Sequence, residues 1–307
     1  MYVVRPAAAA AAAFLGFTLT VLGGTVASAA SPARPSAPRA AAGDGGPLAG
    51  PVVYAHRGAS AYAPENTLEA VDLAVRLGFA WVENDVQRTK DGELVVIHDD
   101  TLARTTDVEQ VFPDRKPWRV RDFTAAEIAR LDAGTWFGEE YAGAFVPTLR
   151  EYLDRVRRNQ QRLLLEIKKP ELYPGIEEQT LKVLGEAGWL DERYVAGRLV
   201  VQSFSTDCVR LVHRLRPDLV TAFLGTPAVA DLPKYAEFTD RINPWHTTIS
   251  AEWVAAVHEL RGAHGKAMGV DTWIVDDAAT ARKVRDMGVD GIITNAPDVV
   301  REAVGGF

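Results

Sequence analysis

Short apolar runs rich in β-branched residues alternate with longer stretches of helical periodicity from residue 51 onward. The runs predict nine strands, at Val52–His56, Trp81–Gln87, Leu94–His98, Leu163–Lys168, Leu199–Phe204, Val220–Leu224, Thr247–Ile249, Ala267–Val270 and Gly291–Thr294. The stretches predict helices at Thr67–Leu77, Thr124–Leu131, Leu149–Arg158, Ile176–Ala187, Thr206–Leu215, Ala251–Ala263 and Asp277–Met287. Because strands and helices follow one another in turn, the pattern predicts a parallel α/β fold.

One of the nine strands does not fit a parallel arrangement. Only Arg88 to Glu93 separate the second and third runs, and they include the turn signal Asp91-Gly92. Parallel neighbours need a connection of about a dozen residues or more. The third run is therefore expected to form an antiparallel hairpin with the second. Eight parallel strands remain, which predicts a (β/α)8 TIM barrel.

An irregular segment of about residues 100–147 interrupts the alternation after the second barrel strand. It carries prolines and large aromatic residues around one short helical pattern. An insertion at this point would cover the carboxyl ends of the strands, where barrel enzymes place their active sites. The segment either shapes a substrate pocket or is an ordinary packed excursion.

The first fifty residues read as export and linker sequence. Arg5 precedes the apolar run Ala7–Leu22, and Ala27-Ser28-Ala29 is a small-residue cleavage site, so residues 1–30 predict a secretory signal peptide cleaved near Ala29. The apolar run is shorter than the roughly 20 residues of a membrane span, so we expect no stable membrane anchor. Residues 31–50 predict a flexible linker, and residues 51–307 a single domain that is secreted to the exterior or the cell envelope.

Charge and cysteine content limit the possible binding partners and disulfide bonds of the chain. The net charge of −7 gives no electrostatic reason to bind nucleic acid or an anionic membrane. The single cysteine, Cys208, excludes an intramolecular disulfide and is expected to be buried and inert. A small molecule is the expected partner, and the sequence does not indicate an oligomeric state.

Three carboxylates are expected to meet at one end of the barrel. Side chains alternate along a strand, so Glu83 and Asp85 point the same way, about 7 Å apart. Glu166 and Lys168 share a face of the third barrel strand. A hard divalent cation, Mg²⁺ or Ca²⁺, would relieve the repulsion among three converging carboxylates. The alternative is a set of ordinary ion pairs, with Arg57 and Lys168 as counterions.

Two histidines flank this acidic group in the sequence. His56 ends the first strand and His98 ends the hairpin. Histidine is the side chain best suited to move protons near neutral pH, although each of the two could instead be structural.

Further residues are expected at the rim. Asn66 is predicted as the N-cap of the first helix, with Glu69 completing a capping box. Glu65 is predicted to lie next to the metal site or His56 and to orient its groups without reacting itself. Trp273, just beyond the seventh barrel strand, and Phe204 either pack or form an apolar wall for a small polyol or a head group.

An ordered set of motifs spans nearly all of residues 52–300. They are His56-Arg57-Gly58-Ala59-Ser60, Pro64-Glu65-Asn66-Thr67, Glu83-Asn84-Asp85-Val86, Thr89-Lys90-Asp91-Gly92, Val96-Ile97-His98-Asp99, Leu165-Glu166-Ile167-Lys168 and Gly288-Val289-Asp290-Gly291-Ile292-Ile293-Thr294-Asn295-Ala296-Pro297. In these motifs the chain resembles the glycerophosphodiester phosphodiesterase family, of the secreted or periplasmic kind. The resemblance implies a TIM barrel with a small insertion, one divalent metal ion, and hydrolysis of glycerophosphodiesters to sn-glycerol 3-phosphate and an alcohol.

The same resemblance implies a role for each matching residue. His56 and His98 become the acid–base pair, Arg57 and Lys168 hold the phosphate, and the metal ligands are Glu83, Asp85 and Glu166. Two positions depart from the family pattern. Asn84 stands where an apolar residue is more usual, and Asn295 replaces a frequent acidic residue.

Two other functions remain open on the sequence alone. A sphingomyelinase D-like phospholipase shares the paired histidines and acidic ligands but acts on membrane lipid. A non-catalytic secreted binding protein on the same barrel would have lost a catalytic residue. The sequence also leaves open which histidine is the base, and whether water or the glycerol hydroxyl attacks the phosphorus.

Overall fold

The computed structural model describes residues 50–305, so the predicted signal peptide and nearly all of the predicted linker lie outside the described residues. Within that range there are nine strands: β1 Val52–Ala55, β2 Trp81–Arg88, β3 Leu94–Val96, β4 Arg162–Ile167, β5 Leu199–Ser203, β6 Val220–Leu224, β7 Arg241–Asn243, β8 Gly269–Thr272 and β9 Gly291–Thr294.

Eight of the strands form a closed parallel barrel. The order is β1-β9-β8-β7-β6-β5-β4-β2, and β1 pairs with β2 to close the ring. Strand β3 is antiparallel to the end of β2, with Val86 opposite Val96. The TIM barrel and its antiparallel hairpin, both predicted from the sequence, are confirmed.

Helices and short helical turns connect the strands. The α-helices are α1 Leu68–Arg76, α2 Val108–Val111, α3 Ala125–Ile128, α4 Leu149–Arg158, α5 Ile176–Glu186, α6 Glu192–Val195, α7 Thr206–Leu215, α8 Leu232–Ala236, α9 Ala251–His258, α10 Ala278–Asp286 and α11 Pro297–Val304. Single 3₁₀ turns lie at Val120–Asp122, Glu139–Tyr141, Pro170–Leu172 and Val229–Asp231. None of the helices described between residues 50 and 305 is long and apolar enough to cross a membrane.

The predicted sixth barrel strand was misplaced. Thr247–Ile249 is β-branched but lies in the loop before α9, where the Thr248 hydroxyl donates to the Trp245 carbonyl. Such local side-chain bonds favour turns over strands. The sixth barrel strand is β7 instead. Its charged residue Arg241 interrupts the apolar pattern by which strands are recognised in the sequence. The Arg241 guanidinium lies in the barrel, paired with the buried Asp271 at 2.5 Å.

The start of α1 also differs from the prediction. Thr67, not Asn66, is the N-cap, and its hydroxyl accepts from the Ala70 N–H. Asn66 lies one residue earlier in the left-handed region, at φ 61°. Asparagine tolerates this conformation better than most residues, and it leaves the Asn66 amide free for another role.

Apolar side chains fill the barrel below the carboxyl ends of the strands. They form one cluster of Tyr54, Trp81, Leu164, Val200, Ala222 and Ile293. The helix layer packs on the outer face of the sheet in two larger clusters. The segment between β3 and α4 has its own apolar core, which includes Leu102, Trp118 and Phe123. The insertion is therefore a packed unit that stands beside the strand ends.

Candidate active site

A cavity of about 230 Å³ opens at the carboxyl ends of the barrel strands. Both polar and apolar residues line it. The lining is His56, Arg57, Glu83, His98, Glu166, Lys168, Gln202, Phe204, Leu224, Trp245, Trp273, Ile274 and Ile293. The cavity thus brings together both predicted acid–base histidines, both predicted phosphate-binding cations and both predicted wall residues.

Glu83, Asp85 and Glu166 form what we call the acidic triad. One carboxylate oxygen from each lies within 4.8 Å of the others, and all three side chains are buried. Glu83 and Asp85 share a face of β2, and Glu166 lies opposite Asp85 in the parallel register of β4. Strand alternation and register alone therefore bring the three groups to one point.

Buried carboxylates this close perturb one another. Burial, with the charges of Asp85 and Glu166, raises the pKa of Glu83 well above its usual value. Burial also raises the pKa of Glu166, against the opposing effect of Lys168. Burial would raise the pKa of Asp85 too, but Arg57 and Lys168 together hold it below its usual range. Arg57 and Lys168 alone therefore do not neutralise the negative charge of the ionised triad.

An oxygen of the triad also lacks a partner. Asp85 Oδ1 is buried and accepts no hydrogen bond from any residue in the range 50–305, and the Lys168 ammonium lies 3.6 Å away. Three close carboxylates with an unbonded oxygen fit the oxygen-rich coordination that hard divalent cations require. The triad could therefore hold a metal ion.

Neighbouring groups fix the triad in place. Glu83 Oε2 accepts from the Arg57 backbone N–H at 3.0 Å, and Oε1 from the Gln202 amide at 3.5 Å. Asn66 Nδ2 donates to Asp85 Oδ2 at 2.8 Å, while Asn66 Oδ1 accepts from the Asp85 backbone N–H at 3.4 Å. The residue predicted as a helix cap thus orients a triad carboxylate.

A tight turn after β1 places the first catalytic candidates. Arg57 has a left-handed backbone at φ 54°, and Gly58 follows at φ 83°. A Cβ on Gly58 would lie 2.6 Å from the Ala70 backbone, so only glycine fits against α1. Left-handed non-glycine residues cost of the order of 1–3 kcal/mol and concentrate at functional sites. The turn directs the Arg57 side chain and its N–H toward the triad.

His56 is oriented by a chain of side-chain bonds. Asn295 Nδ2 donates to Asp276 Oδ2 at 2.7 Å, so Asn295 Oδ1 faces His56 Nδ1 at 2.7 Å. Because an amide oxygen only accepts, the proton lies on Nδ1, and Nε2 is left as an acceptor. Burial and the nearby Arg57 lower the pKa of His56 to about 3. Its free Nε2 lies 3.9 Å from Glu83 Oε2.

His98 has a different partner. Its Nδ1 lies 2.7 Å from Asp99 Oδ1, so a carboxylate rather than an amide accepts its proton. The His98 hydrogen bond holds the pKa of Asp99 below its usual range. Glu65, predicted to support the metal or His56, makes its hydrogen bonds to Arg57 and Arg104. Glu65 therefore holds Arg57, a candidate phosphate-binding residue, in place.

The two predicted phosphate-binding cations border the triad. Arg57 Nε lies 3.2 Å from Asp85 Oδ2, and Lys168 Nζ lies 2.8 Å from Glu166 Oε1. Both side chains are largely buried but line the cavity. Their positive charges therefore point into the same space as the triad.

Three aromatic rings also line the cavity. Phe204 and Trp273 meet edge to face at 5.4 Å, and Trp273 meets Trp245 in the same way at 4.9 Å. The Trp273 Nε1–H donates to the Asn243 carbonyl, which fixes the indole. Phe204 is 49% exposed and Trp245 38% exposed, so both residues are accessible to a ligand.

The profile of the Glycerophosphoryl diester phosphodiesterase family matches residues 56–299, beginning at His56, one of the two candidate acid–base histidines. The chain belongs to this family. Its enzyme class, a phosphoric diester hydrolase, is thereby confirmed.

Individual relatives agree with the family match. The glycerophosphodiester phosphodiesterase of Bacillus subtilis is 33% identical over 270 residues, which cover 83% of this chain and 87% of the relative. That of Caldanaerobacter subterraneus is 35% identical over 258 residues, covering 81% and 96%. Among solved structures, a phosphodiesterase from Oleispira antarctica in complex with the product sn-glycerol-3-phosphate has a TM-score of 0.70 at 28% identity, covering 84% of this chain and 98% of that chain.

Sequence reasoning on this family member missed several positioning residues. The sequence predicts Asn66 only as a helix cap and marks Asn295 only as a departure from the family pattern. Arg104 and Trp245 lie outside the recognised motifs. Asn66 and Asn295 lie inside the recognised motifs, which was a usable signal, whereas nothing local in the sequence marked Trp245.

Proposed function

We propose that this protein hydrolyses small glycerophosphodiesters to sn-glycerol 3-phosphate and an alcohol, with one divalent cation held by the acidic triad. The observation that carries the proposal is the buried triad with its unbonded Asp85 oxygen, facing the same cavity as two histidines. Family membership and the product complex of the Oleispira antarctica relative support the substrate class.

The charges in the cavity suit a phosphodiester. The ionised triad carries three negative charges against the two positive charges of Arg57 and Lys168. A divalent cation reverses the sign of the remaining charge, which then matches the single negative charge of a phosphodiester. We propose Ca²⁺ or Mg²⁺, since the donors are all carboxylate oxygens. When bound, the ion would polarise the phosphoryl oxygen and stabilise charge that develops on it.

The hydrogen-bond partners assign different tasks to the two histidines. The neutral amide of Asn295 holds the Nδ1 proton of His56, so Nε2 is free to take a proton from the attacking hydroxyl. His98 Nδ1 is instead hydrogen-bonded to the carboxylate of Asp99, a partner that suits the donor of a proton to the leaving alcohol. We therefore infer that His56 is the base and His98 the acid.

The size of the cavity favours a small substrate. A volume of about 230 Å³ is below the roughly 300–1,000 Å³ of pockets for drug-sized ligands. Phe204, Trp245 and Trp273 would contact the glycerol or the head group, and two acyl chains would exceed the space. This argues against the sphingomyelinase D-like alternative. Retention of both histidines and the complete triad argues against a non-catalytic binding protein.

A substrate panel tests the assignment. Purified protein with added Ca²⁺ or Mg²⁺ should release sn-glycerol 3-phosphate from glycerophosphocholine and glycerophosphoethanolamine, measured with a coupled glycerol-3-phosphate dehydrogenase assay. Intact phosphatidylcholine and sphingomyelin should be poor substrates. Efficient sphingomyelin cleavage without activity on any glycerophosphodiester would replace the proposal with the lipid-cleaving alternative.

We also propose that the enzyme is exported and acts outside the cytoplasm. The signal-like residues 1–30, with a cleavage site near Ala29, support this location. Mass spectrometry of the exported protein should find a new N-terminus within a residue of Ala29. A mature protein that still carries Ala7–Leu22 would contradict the proposal and indicate a membrane tether.

A further inference from the structure

Arg104, in the insertion between β3 and α2, joins two carboxylates of the active-site rim. Its Nε and Nη2 donate to Asp99 at 2.7 and 3.0 Å. Its Nη1 and Nη2 donate to Glu65 at 2.7 and 2.8 Å. The guanidinium therefore makes two forked contacts at once, a geometry that lysine could not reproduce.

Each of these carboxylates holds a residue of the proposed machinery. Asp99 Oδ1, one of the oxygens that Arg104 contacts, also faces His98 Nδ1 at 2.7 Å. Glu65 Oε1, contacted on the other side, also accepts from Arg57 Nη1 at 2.8 Å. One guanidinium thus contacts both carboxylates and, through them, orients His98, the candidate acid, and Arg57, a candidate phosphate-binding residue.

The network is unusual for an exposed arginine. The Arg104 side chain is 44% exposed, whereas that of Glu65 is 12% exposed. Exposed ion pairs contribute little to stability. Without Arg104, however, the Asp99 and Glu65 carboxylates would face each other with no cation between them. Asp99 would then keep its contact with His98 and Glu65 its contact with Arg57, but each carboxylate would lose the second contact that now fixes its orientation.

We propose that Arg104 is a positioning residue for the proposed hydrolysis: it holds Asp99 so that the ring of His98 presents Nε2 to the cavity, and it holds Glu65 so that Arg57 points at the phosphate. This inference rests on the proposed function. It assigns the insertion a direct part in ordering the site, because Arg104 belongs to the insertion and its two partners flank the barrel opening.

The test compares Arg104→Met with Arg115→Met. Arg115 lies in the same insertion, is 33% exposed, and pairs with Glu127, which is outside the site. Loss of Arg104 should lower kcat on glycerophosphoethanolamine by roughly 10–100-fold, the range for lost supporting groups. On bis(p-nitrophenyl) phosphate, whose leaving group needs no protonation, the decrease should be smaller than on glycerophosphoethanolamine, because only the effect through Glu65 and Arg57 remains. Arg115→Met should behave as wild type on both substrates.

Two further readouts separate positioning from folding. Added guanidinium should partly restore the activity of Arg104→Ala but not that of His98→Ala. In ¹⁵N NMR of the imidazoles, Arg104→Met should broaden or shift the His98 Nδ1–H signal and leave that of His56 unchanged. The NMR readout needs no substrate, so it tests this inference even where the wild type cleaves no glycerophosphodiester, a result that would refute the proposed function alone. An Arg104→Met variant with wild-type kcat and an unchanged His98 signal would overturn the inference.

Discussion

Replacement of Asn84 by leucine should stabilise the protein without changing its activity. Asn84 lies between Glu83 and Asp85 on β2, so its side chain points to the helix layer, on the same face as Val82 and Val86. It is 0% exposed, and within residues 50–305 neither its Oδ1 nor its Nδ2 has a hydrogen-bond partner. A buried polar atom without a partner costs about 1–3 kcal/mol.

Leucine has the same branching at Cγ and removes both unpaired atoms. Allowing for some crowding, we expect Asn84→Leu to gain about 2 kcal/mol in the free energy of unfolding. For a domain of this size that raises Tm by roughly 4–8 °C. Differential scanning calorimetry measures the shift, and kcat on glycerophosphoethanolamine should stay within about twofold of wild type, since the side chain faces away from the triad.

Asn243 provides the matched control. It also lies on a barrel strand and is 0% exposed, and among residues 50–305 its Oδ1 likewise has no partner, but its Nδ2 donates to Gln202 Oε1 at 2.8 Å. Asn243→Leu should therefore gain less stability than Asn84→Leu, because Gln202 loses a partner in the interior. A lower Tm for Asn84→Leu would refute the reasoning and indicate that its amide is hydrogen-bonded, for example to buried water.

Four further predictions follow from the site. His56→Ala and His98→Ala should each reduce kcat by roughly 10²–10⁴-fold with the fold intact by circular dichroism; near-wild-type turnover would make that histidine structural. Asn295→Leu should lower kcat by roughly tenfold or more, whereas Asn295→Asp should retain more activity because it keeps an acceptor for the Nδ1 proton of His56. Equal activities of the two variants would argue that residue 295 does not fix the tautomer of His56. In the metal-free protein, burial raises the pKa of Glu166, so its contribution to stability is present below the ordinary value of 4.5 and lost as the pH rises through the raised pKa. Added Ca²⁺ or Mg²⁺ should then raise Tm more at pH 8 than at pH 5, and a pH-independent gain would contradict this. Trp273→Ala should mainly raise KM, and a loss confined to kcat would place the indole elsewhere in the reaction.

The barrel and the triad could be predicted because they depend on local patterns. Strand alternation puts Glu83 and Asp85 on one face, and polar residues at strand ends meet wherever parallel strands close into a barrel. The Asp91-Gly92 turn identified β3 as an appendage and so gave the correct number of barrel strands. None of these inferences needs knowledge of contacts between distant residues.

The parts that were missed depend on such contacts. Strand β7 is three residues long, and Arg241 looks out of place until Asp271, thirty residues later, is seen to neutralise it. Asn66 resembles a helix cap unless its distance from Asp85 is known. Arg104 has no local pattern that marks it, because its importance arises from two carboxylates in different segments. Tertiary electrostatics, rather than periodicity, decides these positions.

The most direct test follows glycerophosphoethanolamine by ³¹P NMR with the fully chelated enzyme, before and after addition of one equivalent of Ca²⁺ or Mg²⁺. We predict no turnover after chelation, appearance of sn-glycerol 3-phosphate once the cation is added, and no recovery in Glu83→Gln or Glu166→Gln. Full turnover by the chelated wild type, or recovery in both variants at the wild-type cation concentration, would contradict a cation held by the acidic triad.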